Sequence, residues 1–422
     1  MKKQATLDWF LLAASISLQI LLALFFGHAY DTRIFMATGY LVGTGQNPYL
    51  LHDLSAVFHH VSFNAPGTVG YPPPWPLILG LLYSVSYALL PNLFLYNLVL
   101  KLPVVAATVG LAYMVAAVLR KRGAPPAVCR KAWIFVLLNP FLLYFGAAWG
   151  QIDVIVALLA LAALALVYAR RWAVSAVLLA LAVCFKPIAA PLLLVILAYL
   201  VGRSWRQALR YAAAFSAGVL VFYLLPFLLL GWGLPPAQLA NAHFTMSGGM
   251  SFMAVVRLAR GSVLLHGHWW LLGLVWIPAL AAAALTLRRG VRDFNDLVAK
   301  SAALVLVFFL TRTWLAEPDV VLVVVLVLVA TSLGALDRRA LTAVWVIPLL
   351  FTVFNESPLQ LLWVTFPGDW HQWLAFVGRH GPATVIGRGV LAIAWQIAGW
   401  WIVVSCLRKR PAAATGGLPA WS

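Results

Sequence analysis

Residues 93–131 read LFLYNLVLKLPVVAATVGLAYMVAAVLRKRGAPPAVCRK. An apolar run from 93 to 119, charged only at Lys101, passes directly into Arg120, Lys121, Arg122, Arg130 and Lys131. Crossing the hydrocarbon core of a bilayer takes about 20 apolar residues, and basic residues collect on the cytoplasmic side of such helices. The stretch therefore reads as one transmembrane helix entering a cytoplasmic loop. Its basic end fixes the direction of the helices on either side.

The pattern repeats in both directions. Basic clusters at Lys2/Lys3, Arg170/Arg171, Arg203/Arg206/Arg210, Arg288/Arg289/Arg292/Lys300, Arg338/Arg339 and Arg408/Lys409/Arg410 occupy alternate gaps between apolar runs. Placing them all inside predicts about twelve spans (11–13), near 8–27, 93–119, 133–148, 152–169, 172–185, 187–201, 208–230, 269–287, 297–311, 318–335, 340–354 and 389–407. Both termini are then cytoplasmic. The run 76–90 is expected to be an interfacial or re-entrant helix, because a full span there would carry the cluster at 120–131 outside. The first apolar run follows two lysines as a signal peptide would, but it is long and lacks a small-residue cleavage site, so it is expected to stay as the first helix. The expected fold is all-α: one polytopic transmembrane domain over 1–422, with no separate soluble domain.

Composition agrees. The chain has 422 residues, 64% hydrophobic and only 9% charged, too few charges to cover a soluble surface. The net charge of +18 lies in loops flanking spans, which argues against a nucleic-acid partner and for membrane lipids. Cys129, Cys184 and Cys406 show no spacing for a metal knuckle or a disulfide framework.

With the basic loops inside, the long loops 28–92, 231–268 and 355–388 are outer. So are most of the acids: Asp31, Asp53, Asp153, Glu317, Asp319, Glu356 and Asp369. Asp31 opens the first outer loop at the depth of lipid phosphates. Trp149-Gly150-Gln151-Ile152-Asp153 forms a turn between spans and suits a sugar, since an indole face covers pyranose C–H bonds while amide and carboxylate bind hydroxyls. An interfacial hairpin with a membrane-anchoring Trp would look the same. Lys186-Pro187 and the segment Thr311 to Asp319, containing Arg312, bring cations to outer helix ends, where they suit a phosphate unless they merely snorkel. Asp369 and His371 alone are a poor metal signature, and no obligatory metal is expected, although dependence on a divalent ion is left open.

Asp31, Gly45 to Tyr49, Tyr71 to Pro74, Asn139-Pro140 with Trp149 to Asp153, Lys186-Pro187, and Arg312 with Glu317 together resemble one family over residues 28 to about 320. It is the GT-C glycosyltransferases, particularly the bacterial and GPI-type polyprenyl-phosphate-mannose-dependent mannosyltransferases. The resemblance implies a plasma-membrane enzyme that moves a sugar, mannose favoured, from a polyprenyl-phosphate carrier to a glycolipid or glycan acceptor on the outer face, with inversion. Asp31 would be the catalytic base, and Arg312 and Lys186 would bind the donor phosphate. Trp149, Gln151, Asp153 and Tyr71 would position sugar or acceptor, and Glu317 would orient Arg312. Apart from the resemblance, Asp53, His243 and Arg257 in the outer loops are further supporting candidates. The sequence departs from the family in carrying Thr311-Arg312-Thr313 where a His often accompanies the acid, and in lacking a second acid next to Asp31. A transporter or lipid flippase would instead place ionisable groups near the bilayer midplane. An O-antigen-ligase-like enzyme would need its essential groups in a later outer loop.

Overall fold

A computed structural model describes residues 2–50, 69–236, 239, 247–260, 267–356, 358–367 and 381–408. Asp53, His243, Asp369 and His371 lie outside the described residues. The helices that frame the molecule are α1 (Lys2–Phe25), α2 (Asp31–Gly43), α3 (Pro74–Ser84), α4 (Leu93–Lys121), α5 (Pro126–Trp149), α6 (Asp153–Tyr168), α7 (Trp172–Phe185) and α8 (Pro191–Val201). They continue with α9 (Trp205–Leu229), α10 (Phe252–Arg260), α11 (Trp276–Thr286), α12 (Phe294–Thr311), α13 (Val321–Ser332), α14 (Arg338–Asn355) and α15 (Pro382–Leu407). The sheet among the described residues is one parallel pairing of β1 (Gly248–Gly249) with β2 (Trp314–Leu315).

Helix starts follow local chemistry. Pro opens α3, α5, α8 and α15, where its missing N–H costs nothing. Asn92 caps α4 by accepting from the Leu95 amide at 2.9 Å.

Among the described residues six helices, α1, α4, α5, α9, α12 and α15, are long and apolar enough to cross a membrane. Four further apolar helices are shorter: 153–168, 172–185, 187–201 and 271–286. At about 1.5 Å per residue, those of 14 to 16 residues fall short of a core about 30 Å thick unless the bilayer or flanking residues adapt. α3 has 11 residues, far below a full crossing.

The core is α12 and α13, the latter buried along its entire length. Around them, α1 and α9 turn large apolar side chains outward, including Trp9, Phe10, Leu21, Leu220, Leu228 and Leu229. Water would penalise such a surface, and lipid does not. The protein is an integral membrane protein.

One end of the bundle is tied around the exit of α1. Asn97 of α4 donates through Nδ2 to the carbonyls of Ala23 (2.6 Å), Leu24 (3.2 Å) and Phe26 (2.8 Å), satisfying groups that a helix end leaves open. One turn on, Lys101 Nζ donates to the carbonyls of Phe26 and, at 2.8 Å, Ala148. The intramembrane charge noted in the sequence thus fastens the end of α1 to the end of α5. At the other end of α4, Arg122 stacks on Tyr168 and Phe294.

Candidate functional site

The chain leaves α1 in an extended segment. Gly27 N–H donates to Leu361 O at 2.7 Å and Ala29 N–H to Gln360 O at 3.0 Å, so the backbone on both sides of His28 is fixed. A side chain at 27 would not fit, since a Cβ there would come within 2.6 Å of Val364 Cγ2. Asp31 then begins α2.

The expected turn at 149–153 meets Asp31, through a backbone device. α5 breaks at Asn139-Pro140, where Asn139 Oδ1 accepts from the amides of Phe141 and Leu142. It then ends in a π-helical turn, Tyr144–Trp149. That widening re-aims the last residues, as π-bulges often do at functional sites. Gly150 follows with φ +96°, and a Cβ there would lie 2.9 Å from Lys101 Cε, so this position demands glycine.

Trp149 Nε1–H donates to Asp31 Oδ2 at 2.6 Å, and Gln151 Nε2–H donates to the same oxygen at 2.9 Å. Tyr71 O–H donates to Gln151 Oε1 at 2.9 Å, which fixes that amide's orientation, and Tyr49 O–H donates to Tyr71 O at 3.1 Å. His28 lies flat on the Trp149 indole, with ring centroids 3.9 Å apart and planes at 10°, and its Nδ1 is 3.4 Å from Asp31 Oδ2. Among the described residues, every hydrogen bond and ion pair to the carboxylate falls on Oδ2. Among the described residues Oδ1 has no partner, and the side chain keeps 20% of its exposure.

Burial pushes the Asp31 carboxyl up, but His28, the Trp149 N–H and the Lys186 charge outweigh it and hold it below the ordinary carboxylate value. Asp31 therefore stays ionised at neutral pH. Burial also raises the Tyr71 phenol, which keeps it neutral and able to donate.

Asp153 goes elsewhere. It begins α6, and both its oxygens accept from Lys186 Nζ, at 2.8 and 3.0 Å. The same ammonium pairs with Asp319 at 2.6 Å, and Asp319 lies 4.0 Å from Arg312, whose guanidinium covers the Phe308 ring at 4.9 Å. Burial pushes the Lys186 ammonium down and the two carboxylates push it further up, so it remains charged. The acid paired with Arg312 here is Asp319, whereas Glu317 accepts from Asn355 Nδ2 at 2.8 Å. Burial pushes Glu317 up to about 8, with nearby Glu356 adding to it while backbone and Asn355 hydrogen bonds oppose.

β1 runs beside the Arg312 segment. A Cβ at Gly249 would lie 1.9 Å from Leu315 O, so only glycine permits the pairing, and Ser251 Oγ donates to Thr313 O at 2.7 Å. Arg257 sits on α10 shortly after this contact, its side chain outside the described residues.

The structure thus unites Asp31, Trp149, Gln151 and Tyr71 in one group, and Lys186, Asp153, Asp319 and Arg312 in another beside it. His28 and Asp319 were not singled out from sequence. His28 had one signal, its place three residues before Asp31. Among the described residues no group of three or more His, Cys, Asp or Glu could hold a metal ion.

The family model for glycosyltransferase family 87 matches residues 70–318, more than half of the chain. The fold is shared with ArnT from Cupriavidus metallidurans. Its crystal structure bound to undecaprenyl phosphate aligns with TM-score 0.52 at 15% identity, covering 95% of this chain and 77% of that one. The apo structure aligns with TM-score 0.50 at 15% identity, covering 96% and 77%. No curated protein sequence matches the chain significantly. The chain belongs to glycosyltransferase family 87, and the all-α, GT-C-like fold expected from sequence is the one found.

Proposed function

We propose that this family 87 glycosyltransferase takes a sugar, mannose favoured, from a polyprenyl-phosphate carrier and passes it with inversion to a membrane-associated glycolipid or glycan. The observation that carries the reading is the carboxylate of Asp31, ionised, held through Oδ2 by Trp149 and Gln151, and with Oδ1 unengaged by any described residue. That is the posture of a general base. The carrier class is supported by the shared fold, since the ArnT structure holds undecaprenyl phosphate.

In a single displacement the acceptor oxygen bonds to the sugar C1 while the bond from C1 to the phosphate oxygen breaks. The acceptor proton passes to Asp31 Oδ1, and the electron pair of the broken bond leaves with the polyprenyl phosphate. The growing phosphate charge calls for fixed positive groups, and Lys186 and Arg312 supply them. Their carboxylate partners Asp153 and Asp319 keep both cations charged and aimed before the phosphate arrives. The role assigned to Asp153 is accordingly to orient Lys186, and the sugar is left to Trp149, Gln151 and Tyr71.

We place this end of the bundle on the outer face, with both termini inside. The support is the far end of α4, where the basic clusters begin at Arg120.

The test uses purified protein in lipid vesicles with labelled polyprenyl-phosphate-mannose and a membrane lipid extract. Expected are release of polyprenyl phosphate and a labelled glycolipid of inverted anomeric configuration. A donor that stays intact with every acceptor fraction contradicts the proposal.

A further inference from the structure

His28 is 5% exposed, and it touches the site in three ways. Its ring lies on the Trp149 indole. Its Nδ1 is 3.4 Å from Asp31 Oδ2 and also 3.4 Å from the Asp31 backbone N–H. Its Nε2 is buried and meets no polar group among the described residues.

These facts constrain one another. A single Nδ1 either accepts from the Asp31 amide or carries a proton and donates to the carboxylate; it does not do both. Nothing described on the Nε2 side selects a tautomer. The state of Nδ1 is therefore left to the charge of Asp31, and its carboxylate draws the Nδ1–H form, which donates to Oδ2. The ring itself cannot drift, because backbone pairing at Gly27 and Ala29 holds His28 from both sides and the indole covers its face.

We propose that His28 is the positioning residue for Asp31, its Nδ1–H holding Oδ2 so that Oδ1 points to the acceptor hydroxyl. The inference rests on Asp31 being the base. Nδ1 shares the task on Oδ2 with the Trp149 and Gln151 donors. Among the described residues the other titratable groups facing Asp31 are Tyr30 on its own turn, Tyr71 from the segment before α3, and Lys186 at the end of α7. Tyr30 and Tyr71 have phenols raised by burial, so they stay neutral where Asp31 titrates, and Lys186 stays charged.

The test follows release of polyprenyl phosphate from polyprenyl-phosphate-mannose by the full-length protein across acid to neutral pH. Wild type is compared with His28→Phe, His28→Asn and Asp31→Asn, with thermal unfolding recorded for each. His28→Phe keeps a ring on Trp149 but no nitrogen. It is expected to lower kcat about 10- to 100-fold, the factor for a lost hydrogen bond to a charged group. The donor KM should stay within about twofold, and the acid limb of kcat/KM should move to higher pH. His28→Asn, whose amide can donate to Oδ2, should recover part of kcat and part of the limb. If both His28 variants keep the wild-type kcat and pH profile while Asp31→Asn is inactive, the positioning role is wrong and the base stands. A His28→Phe loss confined to KM or to thermal stability overturns it equally. Full activity of Asp31→Asn, or no turnover by wild type, overturns the reading of the base and this inference with it.

Discussion

Two polar groups stand side by side at one end of the helix bundle and are built on opposite principles. Around Asp31, side chains converge on a single carboxylate: Trp149, Gln151 and His28 on Oδ2, with Tyr71 behind Gln151. Around Lys186, formal charges cancel, two cations against Asp153 and Asp319. The first arrangement stabilises an anion through one oxygen and leaves the other unengaged by the described residues, which suits taking a proton. The second stabilises cations that are already desolvated and oriented, which suits receiving a second anion. One charge change therefore has different consequences in the two groups: in the first it removes chemistry, and in the second it removes structure at Lys186 or phosphate binding at Arg312.

The largest structural effect is expected from Lys186→Met, which takes the ammonium away from buried Asp153 and leaves Asp319 with Arg312 at 4.0 Å. Breaking a buried ion pair from one side costs about 3–5 kcal/mol, readable as a fall in unfolding midpoint in detergent. A loss below about 1 kcal/mol would mean that water or another group already serves those acids. Arg312→Ala should leave folding closer to normal but weaken binding of undecaprenyl phosphate, used as a carrier probe, by about 10- to 100-fold. Unchanged binding would remove Arg312 from the phosphate site. Trp149→Phe keeps a ring against His28 and deletes only the N–H to Oδ2, so kcat should drop about 10-fold at nearly constant KM. A fall in KM affinity alone would reassign the indole to the sugar.

The smallest effect sharpens the contrast from outside both groups. Glu317 is raised to about 8 by burial, so the folded state holds a proton that the unfolded chain releases near the ordinary value. Its contribution to stability is thus fully present below the unfolded pKa and is lost as pH rises through about 8. Unfolding midpoints should decline over that window, and Glu317→Gln should flatten the decline. Asp31 runs the other way, its contribution being present at neutral pH and lost only on acidification below the ordinary carboxylate value.

The bundle was legible because lipid imposes long apolar runs and a charge asymmetry that any reader of the chain can follow from Leu93 to Lys131. Asp31, Trp149 and Gln151 were legible because each sits at a break between such runs. Asp153 was only half legible. It is two residues from Gln151, yet the left-handed Gly150 and the start of α6 separate their side chains, and a contiguous motif divides between two groups. The pairing of Lys186 with Asp319 joins the end of α7 to the turn before α13, a contact created by packing that no local pattern announces. His28 escaped notice because its role depends on the π-helical turn that lays Trp149 against it.

The most direct measurement is sugar transfer by Asp31→Asn with binding of the intact donor, polyprenyl-phosphate-mannose, determined on the same preparation. Asparagine keeps the shape and can still accept from Trp149, but it cannot take the acceptor proton. Transfer is expected to fall about 10²- to 10⁴-fold while donor affinity stays within about threefold. Turnover close to wild type with that substitution in place would contradict the account.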